Sequence, residues 1–361
     1  MSEVTMRYYR HLWILIFILF CGKIFPGQLK LIQKLEIETL VKKIVISNDT
    51  LYIQTPEEIL LFTTTGKEKG QIGSIGEGPG SHKSLKDFDV FKNHIAVADY
   101  FNRINIFNEQ GKNISIIKVK EFVESVYYLN GKIFYIAKKF IKNKDLGFIS
   151  QISLREALTE KIIKTFEDSS LIRARIPGNK KYPMPWFPNP FCNRLIILSS
   201  PERILALSTR ENSFLEIGNN SEKIINLTYN FKKEKVTSKD ISRFFNQIEK
   251  TNKRQVEKVT RDSVNFPKEK ELFIGAINWG EGVAVVTSIG ELLVFSRTGK
   301  FIDRFDISTA LKELSMFGDD IDGFTENWIV LSGNRLYISN SDGIILVFQI
   351  VHTNYKEKDN R

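Results

Sequence analysis

Few residues of this chain combine the type and spacing that chemistry needs. Its four histidines are His11, His82, His94 and His352. No two of them stand at the spacing of a metal pair, and neither C-x-x-C nor H-E-x-x-H occurs. No metal and no other cofactor is therefore expected. The G-x-S-x-G elbow of a serine hydrolase is missing too, and no catalytic residue can be named. Asp319, Asp320 and Asp322, before Gly323, resemble the start of a calcium loop. Gly318 holds the first ligand position, so the stretch reads as an acidic turn. Gly76-Glu77-Gly78-Pro79-Gly80 could cradle an anion with its backbone N–H groups. It lacks the Gly-Lys-Ser/Thr ending of a phosphate loop and reads more simply as a flexible lead-in to a strand.

Recognition chemistry is better represented. Pro177 to Pro190 holds five of the ten prolines, with Tyr182, Trp186 and Phe187 among them. Such a stretch is stiff and extended, and stiff aromatics bind a flat or extended ligand at low ordering cost. The same rings could instead pack over their own loop. Residues 232–270 carry twelve Lys/Arg and six Asp/Glu, a net +6. Within them the pattern predicts a helix from Thr237 to Ile248. Thr237 and Asp240 form its cap, and Ile241, Phe244, Phe245 and Ile248 form an apolar stripe expected to pack on the rest of the fold. Lys239 and Arg243 fall on the basic side, either as a plain solvated face or as a flap that attracts an acidic partner. Arg103 and Arg203, each at a predicted turn, could also reach a ligand. Asp99 reads as structural, because an Asp before a tight turn bonds nearby backbone N–H groups.

The elements that carry these residues repeat. Six segments share one shape, an apolar strand, a short polar turn and a second apolar strand. They are Thr50 to Thr64, His94 to Asn108, Lys132 to Ile152, Arg194 to Ser208, Gly282 to Ser296 and Arg335 to Gln349. Further strands flank most of them, such as Leu85 to Lys92 and Asn113 to Val119 around the second. Four short strands in series make one blade of a β-propeller. Gly-Lys turns recur at Gly66-Lys67, Gly111-Lys112 and Gly299-Lys300, where glycine supplies the positive φ of a tight turn. The chain is thus expected to be all-β, a six-bladed propeller of four-stranded antiparallel blades, with a helical insertion between blades four and five. The sixth copy has no fourth strand after it. Leu31 to Ile37 alternates well and is expected to fill that outer position, closing the ring. Turns between the second and third strands of a blade leave on the same face as the connections between blades. The unusual segments should therefore gather on one face.

Gly73 to Lys112 reads GSIGEGPGSHKSLKDFDVFKNHIAVADYFNRINIFNEQGK. This resembles an NHL-type repeat, with Asp99, Asn102, Arg103, Ile104, Phe107 and Gly111 on the pattern. The other five copies keep the hydrophobic shape without the Asp and Asn-Arg. The chain as a whole resembles the six-bladed propellers of bacterial envelopes. Some NHL-like propellers are metal-dependent lyases or hydrolases, but their His-rich channel rims are not matched here. The resemblance implies a fold and leaves activity open.

Lys+Arg 52 against Asp+Glu 42 gives +10. Nucleic acid, anionic lipid or an acidic polymer could answer such a charge, but no aromatic RNP strand is present, and nucleic acid is not expected. Arg7 and Arg10 precede an apolar run from Leu12 to Gly22, only about 16 Å long as a helix and too short for a membrane core of ~30 Å. Residues 1–27 therefore read as a secretory signal, and Cys21 is a lipidation candidate although Phe20 precedes it. The membrane would be met only through such an anchor. Cys192 would then stand alone, without an intramolecular disulfide. The propeller is expected over 28–352, followed by a polar tail, 353–361. The expected location is periplasmic, cell-surface or secreted. The expected function is a binding module for a protein, peptide or glycan of the envelope, with a propeller hydrolase or lyase and an assembly component as alternatives.

Overall fold

Stretches that are apolar at every position, rather than at every second one, belong to strands covered on both sides. β21 (Gly282–Val286) is such a strand, and β3 (Thr50–Gln54), apolar at Leu51, Tyr52 and Ile53 between two polar ends, is likewise buried along its whole length. The computed structural model describes residues 28–74, 76, 81–82, 84–99, 102–143, 147–168, 171–173, 186–188, 194–218, 221–251, 266, 268–314, 328–340 and 342–351. Residues 1–27 with Cys21, most of Pro177 to Pro190, Cys192, the acidic turn near Asp320 and the tail lie outside the described residues.

Six antiparallel sheets of four strands follow one another along the chain. Blade one is β2 (Lys43–Ser47), β3, β4 (Ile59–Thr63) and β5 (Glu68–Ile72). Blade two is β6 (Leu85–Phe91), β7 (His94–Asp99), β8 (Arg103–Asn108) and β9 (Asn113–Lys118). Blade three is β10 (Val123–Leu129), β11 (Lys132–Asn143), β12 (Gly147–Glu156) and β13 (Ile162–Asp168). A small two-stranded sheet, β14 (Leu171–Arg173) with β15 (Trp186–Pro188), comes next. Blade four is β16 (Leu195–Ser200), β17 (Arg203–Ser208), β18 (Ser213–Ile217) and β19 (Glu222–Asn226). α1 (Ser238–Thr251) lies between β19 and β20. Blade five is β20 (Gly275–Trp279), β21, β22 (Glu291–Phe295) and β23 (Phe301–Asp306), and the short α2 (Ser308–Glu313) leads on. Blade six is β24 (Ile329–Ser332), β25 (Arg335–Ser339) and β26 (Ile344–Val351), completed by β1 (Gln28–Glu36).

β1 pairs with β26 from Gln28↔Val351 to Glu36↔Ile344. The two ends of the propeller thus share one blade, as the alternation of Leu31 to Ile37 led one to expect. The inner strands β2, β6, β10, β16, β20 and β24 each touch their neighbours in a closed ring. A hydrophobic cluster fills every blade-to-blade interface, from Tyr52 with Phe88 between blades one and two to Tyr337 with Leu51 between six and one. This explains the continuous apolar inner strands, since each blade is covered by a neighbour on both sides. The outermost strands are not, and β19 is exposed except at Ile225.

The Gly-Lys turns brace this stack. Gly111 and Gly299 have φ of +75° and +80°. A Cβ on Gly111 would sit 3.1 Å from the Gln71 carbonyl oxygen, and one on Gly299 would overlap that of Asn226. Each turn therefore presses on the outer strand of the preceding blade, where a side chain has no room.

One segment is out of phase with the others. Arg194 to Ser208 is the first and second strand of its blade, β16 and β17, whereas the other five segments are second and third strands. The three inner strands of any blade are covered on both sides, so hydrophobicity alone does not number them.

Candidate functional site

In an up-and-down blade, the turn between second and third strands and the connection to the next blade leave on one face. Three additions to a plain propeller use those exits. β11 and β12 have 12 and 10 residues, against 7 in β10 and in β13, so the turn of blade three is drawn out into a two-stranded arm. β14 and β15 occupy the connection from blade three to blade four, and β14 lies against β12. α1 sits in the connection from β19 to β20.

The α1 segment is fixed at its roots. Thr228 N–H donates to the Gly299 carbonyl at 2.8 Å, and Tyr229 and Phe231 pack against Phe295. At the other root, buried Glu271 accepts from Arg194 at 2.9 Å and from the Thr209 hydroxyl at 2.7 Å. Burial raises its carboxyl above the usual range, against the pull of Arg194 and Thr209. The strands leading in and out pair at Lys235↔Glu269. α1 opens on a reciprocal cap: Asp240 N–H donates to Thr237 Oγ1 at 3.2 Å, and Thr237 N–H to Asp240 Oδ2 at 2.9 Å. Phe244 and Phe245 are buried, and their rings contact each other and Phe266. Lys232, Lys235, Lys239, Arg243 and Lys268 are exposed around them.

The other sequence candidates are dispersed. Arg103 opens β8 on the same face, but its Nε is 2.5 Å from Asp99 Oδ2 and its Nη2 donates to the Ser81 carbonyl. Asp99 also accepts from Ser84 N–H at 3.3 Å. The pair pins the Gly-rich lead-in, of which residues 77–80 lie outside the described residues. Arg203 follows a turn between first and second strands, so it lies on the opposite face, contrary to its expected position beside Arg103. It is buried, bonded to Glu216 at 2.7 Å and to the carbonyls of Glu281 and Gly282 in blade five. Burial works to raise the Glu216 carboxyl, but Arg297 and Arg203 outweigh it and hold it below the usual range. Trp186 and Phe187 are carried by β15, and Tyr182 lies outside the described residues.

The central channel holds a polar chain that the sequence reading passed over. Lys43 Nζ on β2 lies 2.8 Å from Asp87 Oδ1 and 2.8 Å from the Phe88 carbonyl on β6. The side chains of Lys43 and Asp87 are only 12% and 8% exposed. The other Asp87 oxygen accepts from Val126 N–H at 3.0 Å, and Asp89 accepts from Tyr128 N–H at 2.7 Å, both on β10. Asp89 also accepts from the Ser199 hydroxyl on β16 at 3.0 Å. Asn278 on β20 donates to the Ser199 carbonyl at 2.5 Å. Burial pushes the Asp89 carboxyl up, against the pull of Lys43 and of the Tyr128 and Val90 N–H groups. The visible signal was a pair of aspartates at i and i+2 in LKDFDVF, carboxylates between the apolar Leu85, Phe88, Val90 and Phe91 of an inner strand. Among the described residues no cluster of His, Cys, Asp and Glu could hold a metal. No described helix is long and apolar enough to cross a membrane.

No curated protein matches the chain in sequence. Solved structures similar to it include a protein of Bacteroides fragilis inferred to be exported, at 14% identity and a TM-score of 0.49, covering 92% of this chain and 97% of the other. BamB from Moraxella catarrhalis is similar at 9% identity and a TM-score of 0.41, covering 91% and 99%. The WD40 β-propeller domain of Doa1 is similar at 9% identity and a TM-score of 0.41, covering 89% and 97%. Residues 32–169, from within β1 to just past β13, match the DUF5128 family, described as a 6-bladed β-propeller.

Proposed function

We propose that this protein is an exported binding module whose propeller is a rigid frame and whose decorated face recognises a partner in the cell envelope. The carrying observation is that the β11–β12 arm, the β14–β15 ribbon and the α1 segment all use the exits of one face. An extended arm, an aromatic ribbon and exposed lysines suit a protein or peptide, and a glycan is the other ligand such aromatics accept. Export rests on the charged and apolar pattern of residues 7–23, and Cys21 would be the site of any lipid anchor. The test is binding to peptide and glycan arrays. Ligands found there should lose binding with Lys239→Glu/Arg243→Glu or Trp186→Ala and keep it with Asn334→Glu on the opposite face. Equal loss or equal retention in all three variants would defeat the assignment of the face.

A second reading is a hydrolase or lyase using Lys43, Asp87 and Asp89 in the channel, favoured by the raised Asp89 carboxyl. Each of these groups is already bonded within the protein, which favours a bracing role. Exposed isoleucines on outer strands, Ile114 and Ile116 on β9, Ile224 on β19 and Ile302 on β23, are spread over different blades and give little support to an assembly role through one edge.

A further inference from the structure

We infer that this protein forms a two-fold dimer by pairing the outer strand of blade two, β9, with β9 of a second copy. The dimer goes beyond the binding role and is independent of it. Six outer strands, β1, β5, β9, β13, β19 and β23, close the blades. Charged side chains commonly guard such free edges. β1, β13 and β23 carry three charged residues each, and β5 and β19 two each. β9, NISIIK, carries Lys118 alone, at its last position, and has no proline or glycine. Ile114, Ser115, Ile116 and Lys118 are exposed, and among the described residues no strand pairs with the outer side of β9. The bulge at Ile114 has counterparts in blades one, three and five, so it is not a guard particular to this edge.

The outer-strand isoleucines alone mark no single edge, but the residues beside β9 do. The turn from β12 to β13 meets the end of β9, where Lys120 N–H donates to Glu160 Oε1 at 3.3 Å. Glu160 stands where blades one, two and five have the glycine of a Gly-Lys turn, at φ +57°. That conformation costs a non-glycine residue about 1 kcal/mol. The Tyr135 hydroxyl, donating to Glu160 Oε2 at 2.6 Å, helps to hold it. Two residues before Glu160, Leu158 is 78% exposed, more than any other large apolar residue described. Ile162 lies two residues after Glu160 and Phe122 two after Lys120, and both are exposed. Ile114, Ile116, Phe122, Leu158 and Ile162 thus lie on segments that meet at the rim of blades two and three. A stable dimer draws about 800 Å² from each copy, and these side chains add apolar area to the strand edge.

A second copy is the occupant that β9 itself selects. Antiparallel pairing about a two-fold axis at Ile116 sets Ile116 against the partner's Ile116, Ser115 against the partner's Ile117 and Ile114 against the partner's Lys118. No lysine faces a lysine, and β-branched side chains meet across the strands. The aliphatic stem of Lys118 can cover Ile114. Such an isologous contact closes at two copies rather than growing into a filament.

The test is sedimentation velocity of the purified protein over a concentration series. The expected result is a dimer that Ile116→Glu weakens about tenfold or more, because carboxylate then faces carboxylate at the axis. Ile114→Glu meets the partner's Lys118 and should leave the dimer within about threefold of the parent, as should Ile224→Glu on β19. Each replaced side chain is exposed, so the monomer keeps its fold. A monomer at every concentration would overturn the proposal while leaving the binding face untouched. Equal weakening by Ile114→Glu and Ile116→Glu would overturn it as well, since apolar area and not strand register would then carry the contact. A dimer that Ile116→Glu leaves intact, or that Ile224→Glu disrupts, would overturn it equally.

Discussion

Replacing Lys43 separates the two readings of the channel. Lys43→Met removes the cation that lies 2.8 Å from Asp87 Oδ1 and over the rings of Phe88 and Tyr127. Asp87 keeps only the Val126 N–H among its described partners, and its side chain is 8% exposed. Removing one partner of a buried pair costs about 3–5 kcal/mol. Because Lys43 retains some exposure and Asp87 one hydrogen bond, the lower end applies, about 3 kcal/mol. Asp87→Asn alone should also destabilise, by taking the paired anionic charge from the part-buried Lys43 ammonium. In Lys43→Met/Asp87→Asn the buried charges vanish together, and an amide can still accept from Val126 N–H. The double variant should therefore recover about 2 kcal/mol relative to the sum of the singles. Urea unfolding followed by circular dichroism measures all four corners of the cycle, with constant m-values as the check that the same transition is compared. A catalytic group is held against the stability of the fold, and its neutralisation commonly stabilises. If both single variants match or exceed the parent in stability, the bracing role is wrong and the enzyme reading takes its place.

Other consequences of the structure are open to measurement. Gly299→Ala should cost roughly 3 kcal/mol or more, combining an unfavourable φ with overlap on the Asn226 carbonyl. Gly280→Ala, at φ +54° with nothing within 4 Å, should cost only about 1–2 kcal/mol, and equal values in urea unfolding would deny the close approach. Glu216 has a lowered folded pKa, so its contribution is present above the ordinary Glu value of about 4.3 and lost as pH falls through the folded value. The stability gap between the parent and Glu216→Gln should accordingly narrow on acidification below that range, and a gap that widens would contradict the Arg203–Glu216–Arg297 arrangement. Thr237→Ala should raise amide exchange across α1 by an amount near 1 kcal/mol while the blades keep their protection. Loosened blades would mean that α1 is part of the core.

The ring was legible because a blade leaves a redundant record. Apolar inner strands, Gly-Lys turns and a missing last strand agree with one another, and the alternation in Leu31 to Ile37 supplied the closing strand. The cap of α1 was legible for a similar reason, since Thr237 and Asp240 stand three apart and bond each other locally. Arg203 was misplaced because Ile196, Leu198, Ile204, Leu205 and Leu207 beside it are buried like those of any inner hairpin, so nothing in their hydrophobicity distinguishes first from second strand. The channel chain was harder still. Lys43, Asp87, Ser199 and Asn278 come from four blades, and only closure of the ring brings them together.

That same closure bears on where recognition resides. A ring built from inner strands alone would leave channel-facing N–H groups of β10 in need of acceptors. Asp87 and Asp89 satisfy Val126 and Tyr128, as a neighbouring strand otherwise would. The carboxylates thus substitute for sheet pairing where blades two and three meet at the axis, and Lys43 offsets one of the buried charges. Such groups are costly to free for a substrate, because each leaves a partner unsatisfied in a low-dielectric channel.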